Sequence, residues 1–255
     1  MTAVHGSAAR LYANGIDLTA FMREAVFGGA ADTAEATTWG LYNKVYIPGK
    51  TDATLTGEGV WDSDQVNANK PDDILDAALG AAGVITFLPQ GEGLGKRCRI
   101  VEAAFSTYEV TSPGDDVTSF SFEAQASSGG AGTGVILQPV AGALSIIAAG
   151  NGAAVDDELL AVPVATTFGG VAALQAINKG GGAGTLTVTV ESSVNGTTGW
   201  AAVATFAGVT AKGAKQVVYT LPGVTINRFL RAAWAHTGGT WDISVAYGRR
   251  YQAGA

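Results

Sequence analysis

The sequence is short of charge, cysteine and histidine. Charged residues make up 15% of its 255 residues, whereas soluble domains average about 25%. The single cysteine, Cys98, cannot form an internal disulfide. With only His5 and His236 beside it, the chain also lacks the ligands of a Cys/His zinc site. Stability must therefore come from packing or from assembly.

Basic residues are scarcer than acidic ones. The chain has 22 acidic and 15 basic residues, a net charge of −7 and a pI near 4.8. Tight binding to nucleic acid or to an anionic membrane needs clustered Lys and Arg, so the overall charge disfavours both. Residues 1–12 contain one Arg and no apolar run of signal-peptide length, so export by that route is not expected.

Long hydrophobic runs are also lacking. The longest uncharged stretch is Ala124–Val155, and it begins with a segment of Ser and Gly. Its apolar part is interrupted by Gln138, Pro139 and Ser145. A membrane-spanning helix needs about 20 consecutive apolar residues. The sequence therefore predicts no membrane helix.

No motif supplies an acid, a base and a nucleophile together. Gly91–Lys96 resembles a phosphate-binding loop, but a strand pattern rather than a helix follows Lys96. Alternation places Cys98 on the same strand face as Ile100, which predicts a buried thiol rather than a reactive one. We therefore expect no catalytic residues, no cofactor and no metal, and we predict that the protein is not an enzyme.

Glycine and apolar residues are abundant. The chain has 36 Gly and 47% hydrophobic residues, enough to bury a core.

The acidic excess is unevenly distributed along the chain. Residues 1–150 carry 17 acids and 8 bases, whereas residues 151–255 carry 5 acids and 7 bases. This asymmetry and the Gly-rich junction at residues 150–154 predict two domains, 1–154 and 155–255.

Short strands dominate the second predicted domain. Leu186, Val188 and Val190 alternate with threonines, as expected of a half-buried strand. Arg228–His236 and Thr240–Gly248 flank Thr237-Gly238-Gly239, which predicts a hairpin. Strands at this turn spacing predict a β-sandwich for residues 155–255.

The first predicted domain is mostly strand with one helix. Asn14-Gly15 favours a hairpin tip. Pro71 and the acidic residues after it predict a helix over about 71–82. Two long strands follow, Arg97–Thr111 and Val117–Ser127. These elements predict a β-barrel or sandwich with one flanking α-helix, in a protein that is mainly β overall.

Two glycine-rich stretches fit neither the helix nor the strand period. They are Val26–Trp39 and Ser127–Gly134. Loops of this length are uncommon in a compact domain unless they are functional or ordered by a partner. We predict that both are loops, ordered by contacts between subunits.

The succession of short motifs in residues 1–150 resembles that of the major tail tube proteins of long-tailed bacteriophages. In chain order the motifs are Asn14-Gly15-Ile16-Asp17-Leu18-Thr19, Ala31-Asp32-Thr33, Thr37-Thr38-Trp39-Gly40, a turn at Ile47-Pro48-Gly49-Lys50, Gly59-Val60-Trp61-Asp62, and Ser112-Pro113-Gly114-Asp115-Asp116-Val117. The segment from Asn227 to Arg250 is similar to a β-rich domain appended to some tail proteins of this kind.

The resemblance implies a β-barrel protomer that closes into hexameric rings, stacked into a hollow tube for DNA ejection. It implies as partners further copies of the chain and other phage tail proteins, such as the tape measure, tail terminator and distal tail proteins. DNA would pass through without specific binding. The protein would assemble in the host cytoplasm and reside in the virion tail, without membrane insertion, and residues 155–255 would project from the tube exterior.

Two sets of residues are candidates for the contacts of such a tube. The hypothetical lumen or interface residues lie on the polar sides of two predicted strands, Ala53–Trp61 and Val117–Ser127: Thr54, Thr56, Glu58, Ser119, Ser121, Glu123 and Gln125. The glycine-rich stretches supply the candidate inter-subunit loop residues: Asp32, Thr33, Thr38, Trp39, Ser128 and Gly130. An acidic lumen wall suits a conduit for DNA, because it does not bind phosphates.

Two other functions remain open from the sequence. A capsid decoration protein, or another virion structural protein, differs from a tube protein only in its partner. A carbohydrate-binding β-sandwich module would predict a signal peptide and clustered exposed aromatic residues. Residues 1–12 show no signal-peptide pattern, and the five tryptophans are spread along the chain rather than clustered.

Overall fold

The computed structural model of the protein describes residues 6–35, 46–63, 70–140, 146–157 and 165–250. Over these residues the protein is mainly β, with antiparallel sheets that do not close into a barrel and one α-helix. This confirms the predicted fold class in its open, sandwich-like form. The described part of the chain contains no helix with the length and apolar character of a membrane span.

The secondary-structure elements follow one another as short and long strands around a single helix. In chain order they are β1 (Arg10–Ala13), β2 (Ile16–Asp17), β3 (Met22–Glu35), β4 (Tyr46–Val60), α1 (Pro71–Ala78), β5 (Ala82–Leu88), β6 (Arg97–Thr111), β7 (Ser119–Gln138), β8 (Gly150–Asn151), β9 (Val155–Asp156), β10 (Gly170–Gly180), β11 (Leu186–Ser193), β12 (Ala201–Thr205), β13 (Lys215–Thr220), β14 (Phe229–His236) and β15 (Thr240–Arg249).

The long hairpin of β6 and β7 is the centre of the first half. β5 pairs with β6 and is followed across the sheet by β1 and β2, while β4 and then β3 extend the sheet beyond the first part of β7. Helix α1 buries Ile74, Leu75 and Ala78, which join a core with Phe105 and Phe122. The Tyr108 hydroxyl donates a hydrogen bond to Asp72 Oδ1 at 2.7 Å, which ties the start of α1 to β6.

The second half continues the same sheet. β15 pairs with the last part of β7, with Tyr247 opposite Val135, and β10 and β13 follow beyond it. A second sheet of β12, β11 and β14, with β8 and β9 on β14, covers this part of the first sheet. Trp241 and Phe206 are fully buried in the core between the two sheets. The predicted sandwich therefore shares its first sheet with the strands of the amino-terminal half.

A buried polar contact joins the two halves. Gln175 of β10 is 0% exposed. Its Oε1 accepts a hydrogen bond from the Gly15 amide at 2.6 Å, and its Nε2 donates to the Val84 carbonyl at 3.0 Å. A Cβ on Gly15 would lie 2.4 Å from the backbone of Gly213, so only glycine allows this approach. Asn14 and Gly15 have φ of 52° and 79°, which confirms the predicted Asn-Gly hairpin.

The helix is shorter than predicted. It ends at Ala78 rather than near residue 82, and Ala82 already begins β5. Gly80, with φ of +73°, follows the end of the helix. Leu79, which lies within the predicted helix but directly after α1, is 47% exposed. The glycine in left-handed geometry redirects the chain into the sheet.

The loop predictions for the glycine-rich stretches are wrong. The described part of Val26–Trp39 belongs to β3, and Ser127–Gly134 lies within β7. Main-chain hydrogen bonds between strands do not require alternating side chains, so a strand can lack that pattern. Ser127–Gly130 lie between the paired residues Ala126 and Ala131, where the register with β6 shifts.

Two predicted turns are also corrected. Pro48 lies within β4, opposite Thr33, next to a register shift that accommodates a residue without an amide hydrogen. β14 and β15 exist close to the predicted bounds, but they belong to opposite sheets and do not form a hairpin. Gly238 lies between them, and a Cβ on Gly184 would be 2.2 Å from its carbonyl oxygen. The glycines therefore allow a crossing between the sheets.

Candidate functional site

The predicted polar residues of two strands meet on one face of the sheet. Thr54, Thr56 and Glu58 of β4 lie opposite Gln125, Glu123 and Ser121 of β7, in that order, and Ser119 lies opposite Val60. Thr56, Glu58, Ser121 and Gln125 are exposed, and the others are half-buried. We call this surface the polar face. Its side chains lie outside the protomer core.

The rows of the polar face continue onto the neighbouring strands. Glu24 of β3 lies opposite Glu58, and Glu109 of β6 lies opposite Ser121. The row across β3, β4, β7 and β6 is therefore Glu24, Glu58, Ser121 and Glu109. The next row is Val26, Thr56, Glu123 and Thr107. Neighbouring strands are about 4.8 Å apart, so these carboxylates form a compact acidic surface.

The centre of the polar face is a shallow depression of about 400 Å³. Four glutamates belong to its wall, together with threonine, serine, valine, glycine and phenylalanine: Glu24, Val26, Thr56, Gly57, Glu58, Thr107, Glu109, Ser121, Phe122 and Glu123. The sequence has no Lys or Arg from residue 100 to residue 178, and this range contains all of β7. The described residues contain no group of three or more His, Cys, Asp or Glu arranged to hold a metal ion. The depression is therefore lined by acidic side chains.

The opposite side of the same strands explains why these side chains face outward. Phe120 and Phe122 of β7 are 2% exposed, and their ring centroids lie 6.5 Å apart. Gly57 and Gly59 of β4 lie beneath these rings, because a Cβ would be 2.5 Å from the Phe122 ring at Gly57 and 2.8 Å from the Phe120 ring at Gly59. Burial of the aromatic rings fixes the register and places the alternate residues in solvent.

The arrangement of the glutamates opposes stability. Glu24 and Glu58 are direct cross-strand neighbours, and like charges in that position are destabilising, by a few tenths of a kcal/mol. Glu109 lies two strands from Glu58 in the same row. The placement of these glutamates therefore does not stabilise the protomer.

The edge of the sheet beside the polar face is open. β3 pairs with β4 along its length, and within the described ranges no strand pairs with its other edge. Beyond Thr54, β4 no longer pairs with β7, so residues 28–35 and 46–53 extend as a two-stranded ribbon. Open strand edges present unpaired amide and carbonyl groups that another chain can complete.

The remaining candidate chemistry is structural. Cys98 is 1% exposed beside Ile100, as predicted, and burial raises the pKa of its thiol to about 12. Gly91 and Gly95 have positive φ in a turn that leads directly into β6, so the Gly91–Lys96 segment has no helix to bind a phosphate. Burial also raises the pKa of Glu92, against the opposing effect of Arg10.

The structure places the predicted loop candidates on strands or leaves them undescribed. Asp32 and Thr33 lie in β3, and Ser128 and Gly130 lie in β7. Thr38 and Trp39 lie outside the described residues. Whether these residues contact another subunit stays a prediction.

Sequence reasoning missed Glu24 and Glu109 on the polar face. The alternation of Thr107 and Glu109 with Tyr108, within a strand predicted correctly from Arg97 to Thr111, would have found Glu109. Glu24 was missed because no strand was predicted at the start of β3, and the residues that follow from Val26 were predicted to be a loop. Its pairing with Glu58 depends on the register of the two strands, which includes a shift between Met22 and Glu24.

No known family model and no curated protein matches the sequence. Similar solved structures include a protein in the virion of the native gene transfer agent particle, at 13% identity over 49% of this chain and 95% of that chain, with a TM-score of 0.39. A protein in the baseplate of the anti-feeding prophage is 13% identical over 50% and 95% of the two chains, with a TM-score of 0.38. The Dit protein of SPP1, described as a paradigm of the hub adsorption apparatus in phages that infect Gram-positive bacteria, is 10% identical over 96% and 99%, with a TM-score of 0.35. At TM-scores this low, these likenesses assign no function to the chain.

Proposed function

We propose that the protein is a structural virion protein that forms the tail tube of a long-tailed bacteriophage, as stacked hexameric rings of this chain. Each ring contributes its polar faces to the wall of a lumen through which DNA passes without specific binding. The observation that carries the proposal is the solvent-facing row of Glu24, Glu58 and Glu109 on a sheet whose other side is a packed core.

The chemistry of the polar face suits a DNA conduit. Duplex DNA carries about one negative charge per 1.7 Å of axis, and proteins that hold it do so with Lys and Arg. A wall of glutamate, serine and threonine offers no such contacts and repels the phosphates. The like-charge pair of Glu24 and Glu58 lowers the stability of the protomer, but in the lumen it keeps DNA mobile.

The open edge of β3 suits closure into rings. Head-to-tail contacts between identical subunits form a ring when the rotation closes. Main-chain groups along Met22–Glu35 are available for such contacts, and pairing with the next copy satisfies them. Other tail proteins, such as the tape measure, tail terminator and distal tail proteins, are the further partners of a tube of this kind.

Residues 155–255, proposed as a second domain, fit a position on the tube exterior. β15 joins β7 at Val135–Gln138, whereas the polar face involves Ser119–Gln125. At about 3.3 Å per residue along a strand, the two sites are on the order of 40 Å apart. The carboxy-terminal sandwich therefore leaves the polar face uncovered.

Electron microscopy of the concentrated protein tests the proposal. We expect stacked hollow rings with sixfold symmetry, and a cryo-EM map that places Glu58 and Glu123 on the lumen wall. A monodisperse monomer that binds preformed capsids would replace the tube with a capsid decoration function. A tube with the polar face buried between subunits would retain the assembly and refute the lumen assignment.

A charge variant tests the passage of DNA separately. Glu58→Lys places a cation in the acidic row, so assembled tubes of this variant should retain duplex DNA at low salt, and the retention should disappear as salt rises. Asp76→Lys, on the exposed side of α1, is the matched control and should retain none. Equal retention by both variants would show that the polar face does not line the channel.

A further inference from the structure

The protein has a groove with two arginines and, separately, a hairpin tip with two aspartates. Within one protomer these arginines and aspartates form no ion pair among the described residues. The groove has a volume of about 460 Å³ and lies between the start of β3 and the strands β1 and β5. Arg10 and Arg23 lie on its wall with one acid, Glu24. Its remaining lining is Gly6, Ala9, Leu11, Thr19, Met22, Ala25, Phe87 and Pro89. Most of its lining residues are therefore apolar, and its charged side chains carry a net charge of +1.

The tip is the loop end of the β6–β7 hairpin, from Val110 to Thr118. Every residue from Glu109 to Val117 is exposed, including the apolar side chains of Val110, at 46%, and Val117, at 52%. Asp115 and Asp116 supply its charge. The Ser112 and Thr118 hydroxyls hydrogen-bond at 2.9 Å, and Asp116 Oδ1 accepts from the Val117 amide at 2.7 Å, so the tip is an ordered projection.

We infer that the tip of one copy docks into the groove of the next copy in the ring. The inference rests on the proposed function and adds a contact between the subunits. Asp115 and Asp116 complement Arg10 and Arg23 in charge, and the two exposed valines of the tip complement the apolar lining residues of the groove. Apolar contact supplies the burial, and the charges select the partner and its orientation.

The free charges support this assignment. Within the described residues, the Arg23 guanidinium is exposed and makes no ion pair, and neither Asp115 nor Asp116 has a cationic partner. The sequence from Ile100 to Asn178 has no Lys or Arg, so no neighbouring residue of β6 or β7 can neutralise the tip. A basic residue of another copy of this chain can therefore supply the positive charge that the acidic tip lacks within its own protomer.

One wall residue of the groove lies near the tip of its own protomer. Arg23 also borders a depression of about 210 Å³ with Glu58, Thr111 and Ser119, and the last two residues form the base of the tip. The rest of the groove lies farther along the sheet, because Phe87 pairs with Arg99 near the start of β6. The docking contact therefore brings the tip of one copy to the Arg23 end of the groove of the next copy.

Reciprocal charge reversal tests the contact. Arg23→Glu makes the groove acidic, and Asp115→Lys makes the tip less acidic by two charges. Each variant alone juxtaposes like charges or weakens the attraction at every interface, and we expect the pelletable assembled fraction to fall roughly tenfold. In an equimolar mixture, the unchanged tip of the Arg23→Glu copy meets the unchanged groove of the Asp115→Lys copy. At the other contact the new lysine of the tip meets the new glutamate of the groove, so alternating rings should restore assembly.

Lys96→Glu and Asp76→Lys are the matched controls, because both positions are exposed and lie outside the groove and the tip. They should assemble as the wild-type protein does. Assembly by the wild-type protein and by both single variants would overturn the docking contact and leave the tube proposal intact. Loss in both single variants without recovery in the mixture would also overturn it. Failure of the wild-type protein to form any ring would instead refute the proposed function.

Discussion

The strands around the polar face and the strands of the carboxy-terminal sandwich bury their side chains differently. Along β7, Phe120, Phe122 and Ala124 are buried, while the residues between them face solvent. Along β15, every residue from Trp241 to Arg249 is buried. One side of β15 faces the second sheet, and the other side packs at the junction, where Ala246 joins a core with Cys98 and Tyr12.

The difference separates a sheet face that is open to solvent from strands that are buried on both sides. A strand that is covered on both sides contributes to stability through its whole length. A half-covered strand leaves the side chains of its other face free, and on the polar face four neighbouring strands each contribute a glutamate. The acidic excess of residues 1–150 therefore includes a defined face of the sheet, and the later residues, with a slight basic excess, are arranged around a closed core.

The largest expected effect tests whether the two regions fold together. Trp241→Ala in the sandwich core and Phe122→Ala behind the polar face should each lower the free energy of unfolding by about 3–5 kcal/mol, because both side chains are buried. Since β7 and β15 share one sheet, both variants should shift one common transition in guanidinium, followed by circular dichroism and tryptophan fluorescence.

Val194→Ala is the control for both variants. This side chain is 75% exposed, so its removal should change the free energy of unfolding by less than about 0.5 kcal/mol. Two separate transitions, each sensitive to only one of the core variants, would contradict a common folding unit. They would instead support independent folding of residues 155–255.

Cys98 reports whether the junction between the regions opens. Burial raises its pKa from 9.0 to about 12. At pH 9 the unfolded thiol is half ionised, whereas the native thiol stays protonated, so alkylation should be roughly five-hundredfold slower in the native protein. The raised pKa also means that the contribution of Cys98 to stability is complete below pH 9.0 and is lost as the pH rises toward 12.

The measurement is iodoacetamide labelling at pH 9, in native buffer and in denaturant, with mass spectrometry as the readout. Similar rates in the two conditions would show that the junction opens readily. Slow native labelling would sharpen the contrast between the closed junction and the exposed polar face.

Gln175→Met should weaken the connection between the halves by an intermediate amount. Methionine keeps much of the volume but leaves the Gly15 amide and the Val84 carbonyl without this buried partner. We expect a loss of about 1–3 kcal/mol in the free energy of unfolding. Gln125→Met, at an exposed position on the polar face, is the control and should have little effect. Equal effects in a denaturation experiment would argue against a special role for the junction.

The smallest effect should have the opposite sign. Glu58→Gln removes repulsion with Glu24 across the sheet and should raise the free energy of unfolding by about 0.2–1 kcal/mol. Added salt should reduce the gain, because it screens the repulsion in the wild-type protein. Glu123→Gln is the matched control, since its cross-strand neighbours are Thr56 and Thr107. An equal gain in both variants would refute the like-charge explanation.

Strand positions could be predicted where one face of the strand is buried. Arg97–Thr111 and the alternation of Leu186, Val188 and Val190 are confirmed, because burial on one side imposes a period of two. β3 could not be predicted, because its glycines and alanines carry no such period. Pairing with β4 stabilises it through the main chain, which the side-chain pattern does not record.

The polar face was predictable in part for the same reason. Thr56, Glu58, Ser121 and Glu123 stand at alternate positions of two strands, so their common orientation within each strand follows from the sequence. Their meeting on one surface depends on the pairing of β4 with β7. Glu24 and Glu109 join them through two further pairings, between elements separated by many residues along the chain.

The sequence by itself determined the mainly β class, the single helix, the buried thiol of Cys98 and the concentration of acid in the first 150 residues. These depend on local period, composition and turn chemistry. The tertiary structure decided that β14 and β15 lie in opposite sheets, that β15 continues the sheet at β7, and that the glutamates form one row. Pairing between distant strands depends on their register and on how their side chains pack in the core. No single segment of the sequence determines either of these.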